Sequence, residues 1–271
     1  MKPKVAIGIT TYEPILDAAY GEAVFDAYAT ASRKLAPYQV AAGLQKFPVN
    51  SAADLAAHWL TLSPFEIHDR KGGELLERGH FRYGAEWRTK GPLSGSSKVS
   101  FASDLDPHGT HEVTLEHNYS SAVDWAQLFR SMVDLFKPSH AMLHVFTERE
   151  LSLVDHRQRF AFIGPVSGEA HFTTWLSSLG DWRRPDSFRL DERRRYRFLP
   201  QLAWANVLGP EFAGQYDEAR LERGSARFER IDGATYIQVT DRLDDVVSAP
   251  DEFEPARTDM KAAFAPDVFR T

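Results

Sequence analysis

Two rhythms of apolar residues alternate along this chain, and each predicts a different kind of element. Val5, Ile7 and Ile9 fall on every second position and form the inward side of a first strand. Ala18 to Leu35 is alanine-rich with spaced aromatics, a helix ended before Pro37. Ser51-Ala-Ala-Asp54 has capping-box spacing and opens a short helix to about Leu60. Strands follow over Gly79 to Thr89, Lys98 to Ser103 and His111 to His117. The turn formers DLDPHGT join the last two as a hairpin loop. GPLSGSS, Gly91 to Ser97, reads as a flexible loop between strands.

The strongest helical signal runs from Ala122 to Lys137. Ser121 and Asp124 supply capping chemistry at its start. Trp125, Leu128, Phe129, Met132, Val133 and Phe136 then share one face, and Pro138 ends it. Ala141 to Phe146 is apolar on both alternating faces, as a central strand covered on two sides would be. Phe198 to Asp217, FLPQLAWANVLGPEFAGQYD, reads as an apolar helix-like run stopped by Gly209-Pro210. A hairpin turning on Asp232-Gly233 comes next, then an amphipathic C-terminal helix. Pro255 suits the first turn of that helix, and Ala256, Met260, Ala263 and Phe264 make its buried face. The pattern weakens over 148–187. The sum is an α+β fold, a mainly antiparallel sheet with helices packed against it. Residues 1–271 read as one domain, or as two closely packed halves meeting near 181–197.

Charge narrows the function classes. A net charge of −6 and a pI near 5.9 oppose broad binding to a phosphate backbone. The Arg-rich stretch 181–197, DWRRPDSFRLDERRRYR, mixes cations with aromatics, as a nucleic-acid contact would. Asp186, Asp191 and Glu192 interrupt it, which favours a solvated linker or a salt-bridge surface. With no cysteine there are no disulfides, thiol nucleophiles or thiolate metal sites, as suits a reducing cytosol. The start lacks the long apolar core of a signal peptide, and no stretch nears the roughly 20 apolar residues of a membrane span. A cytoplasmic location is the expectation.

Catalytic patterns are weak. His108, His111 and His117 sit near Glu112 and Glu116, but the ends of a strand from His111 to His117 lie about 20 Å apart. One ion cannot span that distance. His140 and His144 have helical zinc spacing within a run that reads as strand, about 13 Å end to end. No GxSxG elbow, GxGxxG or Walker loop is present. Paired carboxylates such as Asp104/Asp106 and Asp244/Asp245 are ordinary in an acidic chain. No catalytic residue, metal ligand or cofactor is expected.

The order of an aromatic run ending in LGPEF, a DG hairpin and an amphipathic C-terminal helix resembles the immunity protein 52 family. A related type VI secretion immunity family is its neighbour. The resemblance is best over Arg197 to Phe269 and looser over Tyr119 to Thr147. It implies a non-enzymatic protein that binds and neutralises a cognate bacterial toxin. Relatives of that family are linked to toxins with a restriction-endonuclease-like nuclease domain. Trp204, Asn206, Gly209 and Pro210 match the family pattern in structural roles: a packed aromatic, a polar partner for nearby backbone, and a helix stop. The acidic stretch Asp241 to Glu254 has two readings, as helix-start chemistry or as a ridge that meets a basic toxin surface. The second names Asp241, Asp244, Asp245, Asp251, Glu252 and Glu254 as toxin-binding residues. Three rivals stay open: a hydrolase with a site assembled from dispersed His and carboxylates, a nucleic-acid binder using 181–197, and a structural protein of a phage or secretion particle.

Overall fold

The computed structural model describes residues 2–42, 45–68, 73, 75–82, 84–102, 110–148, 199, 201–266 and 268–269. The Arg-rich stretch 181–197 and the DLDPHGT loop residues 104–109 lie outside them. Strand β1 (Lys4–Thr11) lies between β8 (His111–Asn118) and β9 (His140–Phe146), and all three run antiparallel. Beyond β8 come β7 (Gly95–Ser100), β6 (Ala85–Thr89), β2 (Gln39–Ala42) and β3 (Gln45–Pro48). Beyond β9 come β10 (Ala205–Leu208), β12 (Ala234–Gln238) and β11 (Arg227–Ile231). Every neighbouring pair of this ten-stranded sheet is antiparallel. Strands β4 (Leu62–His68) and β5 (Leu75–Arg82) form a separate hairpin. The α+β architecture is as expected. The edge pair β2 and β3, and β4 with Pro64 inside it, carry too few apolar alternations to stand out in the sequence.

Register sorts the side chains onto two faces. Val5, Ile7 and Ile9 pair with His117, Leu115 and Val113 on one side and with Val145, Leu143 and Ala141 on the other. Helices α1 (Ala19–Ala31), α2 (Ala52–Trp59) and α3 (Trp125–Phe136) belong to this face; α3 packs on β1 and β9 and against α1, which also packs on α2. The local signals of α2 and α3 act as read. Ser51 Oγ accepts from the Asp54 amide at 3.3 Å while Asp54 accepts from the Ser51 amide at 3.0 Å. Asp124 is itself the N-cap of α3, accepting from the Gln127 amide at 2.9 Å, and the six expected apolar side chains are buried. Lys137 then takes a left-handed backbone (φ 43°) ahead of Pro138. The helix expected over Ala18 to Leu35 breaks at extended Ser32 and resumes as a 3-10 turn, Arg33–Leu35.

Three expectations need correction. Phe198 to Asp217 holds no α-helix among its described residues: Ala205–Leu208 is strand β10, wedged between β9 and β12 with all four residues buried. A strand covered on both faces is apolar at every position, so periodicity cannot separate it from a buried helix. Gly209 and Pro210 therefore end a strand, and Pro210–Phe212 is a 3-10 turn. Second, the supposed loop Gly91 to Ser97 is a 3-10 turn, Gly91–Leu93, running into β7. Third, the C-terminal helix starts at Pro250, which takes the first-turn position, and Pro255 sits inside it. The Asp232-Gly233 hairpin forms as read, both residues with positive φ (47° and 84°), the geometry of a two-residue turn matched to strand twist.

The opposite face carries His140, Met142, His144 and Phe146 of β9 beside Thr10, Gly8 and Ala6 of β1. Helices α4 (Glu218–Gly224), α5 (Asp245–Ser248) and α6 (Pro250–Lys261) follow β10 in the chain. Phe253 of α6 brings its ring to 5.8 Å from His144 on this face. The segment after α6 clasps the chain before α4: Asp217 donates to the Ala263 carbonyl and Ala265 to that of Gln215, both at 2.7 Å.

Gly95 marks a close approach between β7 and β8. A Cβ there would sit 2.1 Å from the Glu116 carbonyl oxygen and 2.5 Å from His117 Nδ1. Gly95→Ala is expected to force β7 off β8 and cost about 1–3 kcal/mol. Thermal unfolding followed by circular dichroism should show it as a midpoint lowered by roughly 2–4 °C per kcal/mol.

Candidate interaction surface

The acidic stretch is built on the turn that follows β12. Gln238 donates through Nε2 to the carbonyls of Thr240 and Asp241, at 2.7 and 3.1 Å, which curls the chain back toward the sheet. Leu243 and Val246 are buried and hold α5 down. Phe253, Arg257 and Met260 are the buried positions of α6. Ala263 and Phe264 are buried as expected, though past the end of the helix, and Ala256 is half-buried.

The six candidate carboxylates divide into two groups. Asp244 accepts from the Tyr119 hydroxyl at 3.0 Å, and burial with the nearby Asp244 charge pushes the Tyr119 pKa up. Asp245 accepts from the Arg242 amide at 3.2 Å and lies in the first turn of α5. Both oxygens of Glu254 accept from Arg257 Nη2, at 2.5 and 2.6 Å, while the Arg257 guanidinium lies 5.0 Å from the Phe253 ring centre. These three are tied into the fold. Asp241, Asp251 and Glu252 are exposed. Asp251 and Glu252 occupy the first turn of α6, where the helix dipole favours carboxylates. The helix-start reading therefore applies to Asp245, Asp251 and Glu252.

The family-pattern residues lie beneath this surface. Trp204 is buried; its ring donates to Thr240 Oγ1 at 3.1 Å and its amide to His144 Nδ1 at 3.2 Å. Asn206 closes a tight loop with Ala203, accepting its amide at 3.1 Å and donating to its carbonyl at 3.0 Å. The Gly209 amide donates to the Ser139 carbonyl at 2.8 Å. Trp204 thus anchors the turn that carries Asp241.

One constellation is invisible in the sequence. Ser97 Oγ lies 3.0 Å from His117 Nε2 and 2.6 Å from the Tyr28 hydroxyl; His117 Nδ1 meets Thr89 Oγ1 at 3.1 Å and the Leu93 carbonyl at 3.2 Å. A serine on a histidine suggests a nucleophile and its base, but Tyr28 and His117 are fully buried and Ser97 is 2% exposed. No substrate reaches them in this conformation, and the network satisfies polar groups between α1 and the sheet. His111, also on β8, accepts instead from the Ala102 amide at 3.1 Å. His140 and His144 share a face of β9 but not a site: the ring of one lies against Phe212, that of the other against Phe253. His108, Asp104 and Asp106 lie outside the described residues.

No family model and no curated protein matches the chain. Solved structures that match include a Pseudomonas aeruginosa T6SS protein, 11% identical, aligned over 96% of this chain and 73% of its own length, at a TM-score of 0.47. That score is too low for its fold or its role to be carried over. No described helix is long and apolar enough to cross a membrane.

Burial holds His117 down to a pKa of about 4, a depression the Leu93 carbonyl opposes; burial alone holds His140 at about 4. An unfolded imidazole titrates near 6.5, so between these values the unfolded chain binds more protons than the folded one. This stability is complete above about pH 6.5 and lost as pH falls toward 4. Urea titrations should give a lower unfolding free energy at pH 5 than at pH 7, by about 2 kcal/mol for each histidine.

Proposed function

We propose that this protein is an immunity protein that binds a cognate bacterial toxin in the cytoplasm and neutralises it without catalysis, by occluding the toxin's active site. The observation that carries the reading is the trio Asp241, Asp251 and Glu252, exposed on a turn and helix where Asp244, Asp245 and Glu254 are hydrogen-bonded within the fold. The likeness of Arg197 to Phe269 to the immunity protein 52 family supports it. A nuclease effector of the restriction-endonuclease-like kind, from a type VI or polymorphic toxin system, fits the charge: its phosphate-binding groove is basic, and an acidic surface is steered to it.

The test is co-expression with the polypeptide encoded next to this chain. The neighbour should kill cells alone, and this chain should restore growth and co-purify with it. Asp241→Lys, Asp251→Lys and Glu252→Lys together should weaken the complex on the order of tenfold or more, mostly through slower association, and flatten its salt dependence. Asp244→Asn, which removes the charge that accepts from Tyr119, should lower stability more than affinity. A harmless neighbour, or killing that continues while this chain is well expressed, overturns the proposal.

A further inference from the structure

His140 is the first residue of β9, with both ring nitrogens buried and without a hydrogen-bond partner. Its cross-strand neighbours are Thr10 of β1, whose hydroxyl is likewise buried and unpartnered, and Leu208 of β10. The Phe212 ring lies 5.7 Å from it. No charged group among the described residues acts on it, and its depressed pKa comes from burial alone. On the same face the register places Glu112 of β8 beyond Thr10, two strands away and about 10 Å at ordinary strand spacing, and that residue is exposed. A neutral imidazole is therefore tolerated here, and a charged one has nothing to compensate it.

The route by which water reaches this ring follows from topology. Strand β9 is hydrogen-bonded along both edges, to β1 and to β10, so separating it from either breaks a ladder. The turn Gly209 to Phe212 meets the sheet through the Gly209 amide and the buried Phe212 ring rather than through a strand ladder. The Gly209 amide donates to the Ser139 carbonyl at 2.8 Å, while Ser139 itself stays fastened to the Thr10 carbonyl through its amide at 2.9 Å and its hydroxyl at 3.1 Å. Lifting the turn removes the Phe212 ring from His140 and leaves β1 and β9 paired.

We propose that the Gly209–Phe212 turn is an acid-sensitive latch, which lifts from the sheet when His140 takes a proton. With a wetted imidazole titrating near 6.5 and the covered one near 4, the open form should be about 30-fold more populated at pH 5 than at pH 7.5. Hydrogen exchange of the full chain, corrected for intrinsic rates, reads this directly. The Gly209 amide, whose hydrogen bond to the Ser139 carbonyl the lift breaks, should lose protection by that factor. The amides of β1 and β9 should lose much less. His140→Phe should abolish the pH dependence at the turn. Glu211→Gln, which removes the turn's own titratable side chain, should leave it intact.

The latch is overturned if turn protection is the same at both pH values. It is equally overturned if β1 and β9 lose protection in parallel with the turn, or if the pH dependence survives in His140→Phe. Should His140→Phe fail to fold, the wild-type exchange pattern still decides between a local latch and a global acid transition.

Discussion

Strand β1 is hydrogen-bonded along both edges, and the continuity of the sheet depends on it. It pairs with β8 from Lys4↔Asn118 to Thr11↔His111, and with β9 from Lys4↔Phe146 to Thr10↔His140. On one side lie the strands formed before residue 119, on the other those formed after residue 139. Without β1 the ten strands fall into a set of five and a set of four. The pairing joins residues a hundred or more positions apart, so closing the sheet carries a loop-closure cost that local helices do not. Among the described residues the larger of two apolar clusters runs from Val5 to Val268, and Ala6, Met142, Phe146 and Ala203 form the other.

A sheet covered on both faces at its centre imposes two demands. Its central strands must be apolar at nearly every position, as in β9, where all seven residues are buried. Polar groups that do enter must find partners at once. Asn206 turns back on Ala203, His144 takes the Trp204 amide, and His117 is held between Thr89, Ser97 and the Leu93 carbonyl. His140 and its cross-strand neighbour Thr10 are exceptions, as is the Trp87 ring nitrogen, and the Phe212 ring lies against His140. The same economy shapes the acidic surface. Asp244, Asp245 and Glu254 make hydrogen bonds within the fold, Glu254 while still exposed, and Asp241, Asp251 and Glu252 are exposed beside them.

Elements whose signals are local were legible from the chain. Capping at Ser51/Asp54 and at Asp124, the apolar stripe of α3, the Asp232-Gly233 turn and the doubly apolar β9 each depend on residues within one or two turns or strand steps of one another. The elements that were misread depend on distant partners. Ala205 to Leu208 is a strand because β9 and β12 flank it, and Gly95 belongs to β7 because it pairs with His117 of β8.

The candidate surface divides along the same line. Its position in the chain and its sign were set by composition: six carboxylates within fourteen residues, in a region resembling an immunity family. Which of them face outward was not, because Tyr119, over a hundred residues away, takes Asp244 into a hydrogen bond. Nor could spacing reveal that Ser97 meets His117, or that His140 is left unpaired under Phe212. The sequence by itself determined local helix and turn geometry, the α+β class and the acidic character of the C-terminal region, all properties of neighbouring residues. Tertiary structure alone decided strand order, the faces of the sheet and the partner of each polar group, because these are settled by contacts between residues the chain keeps far apart.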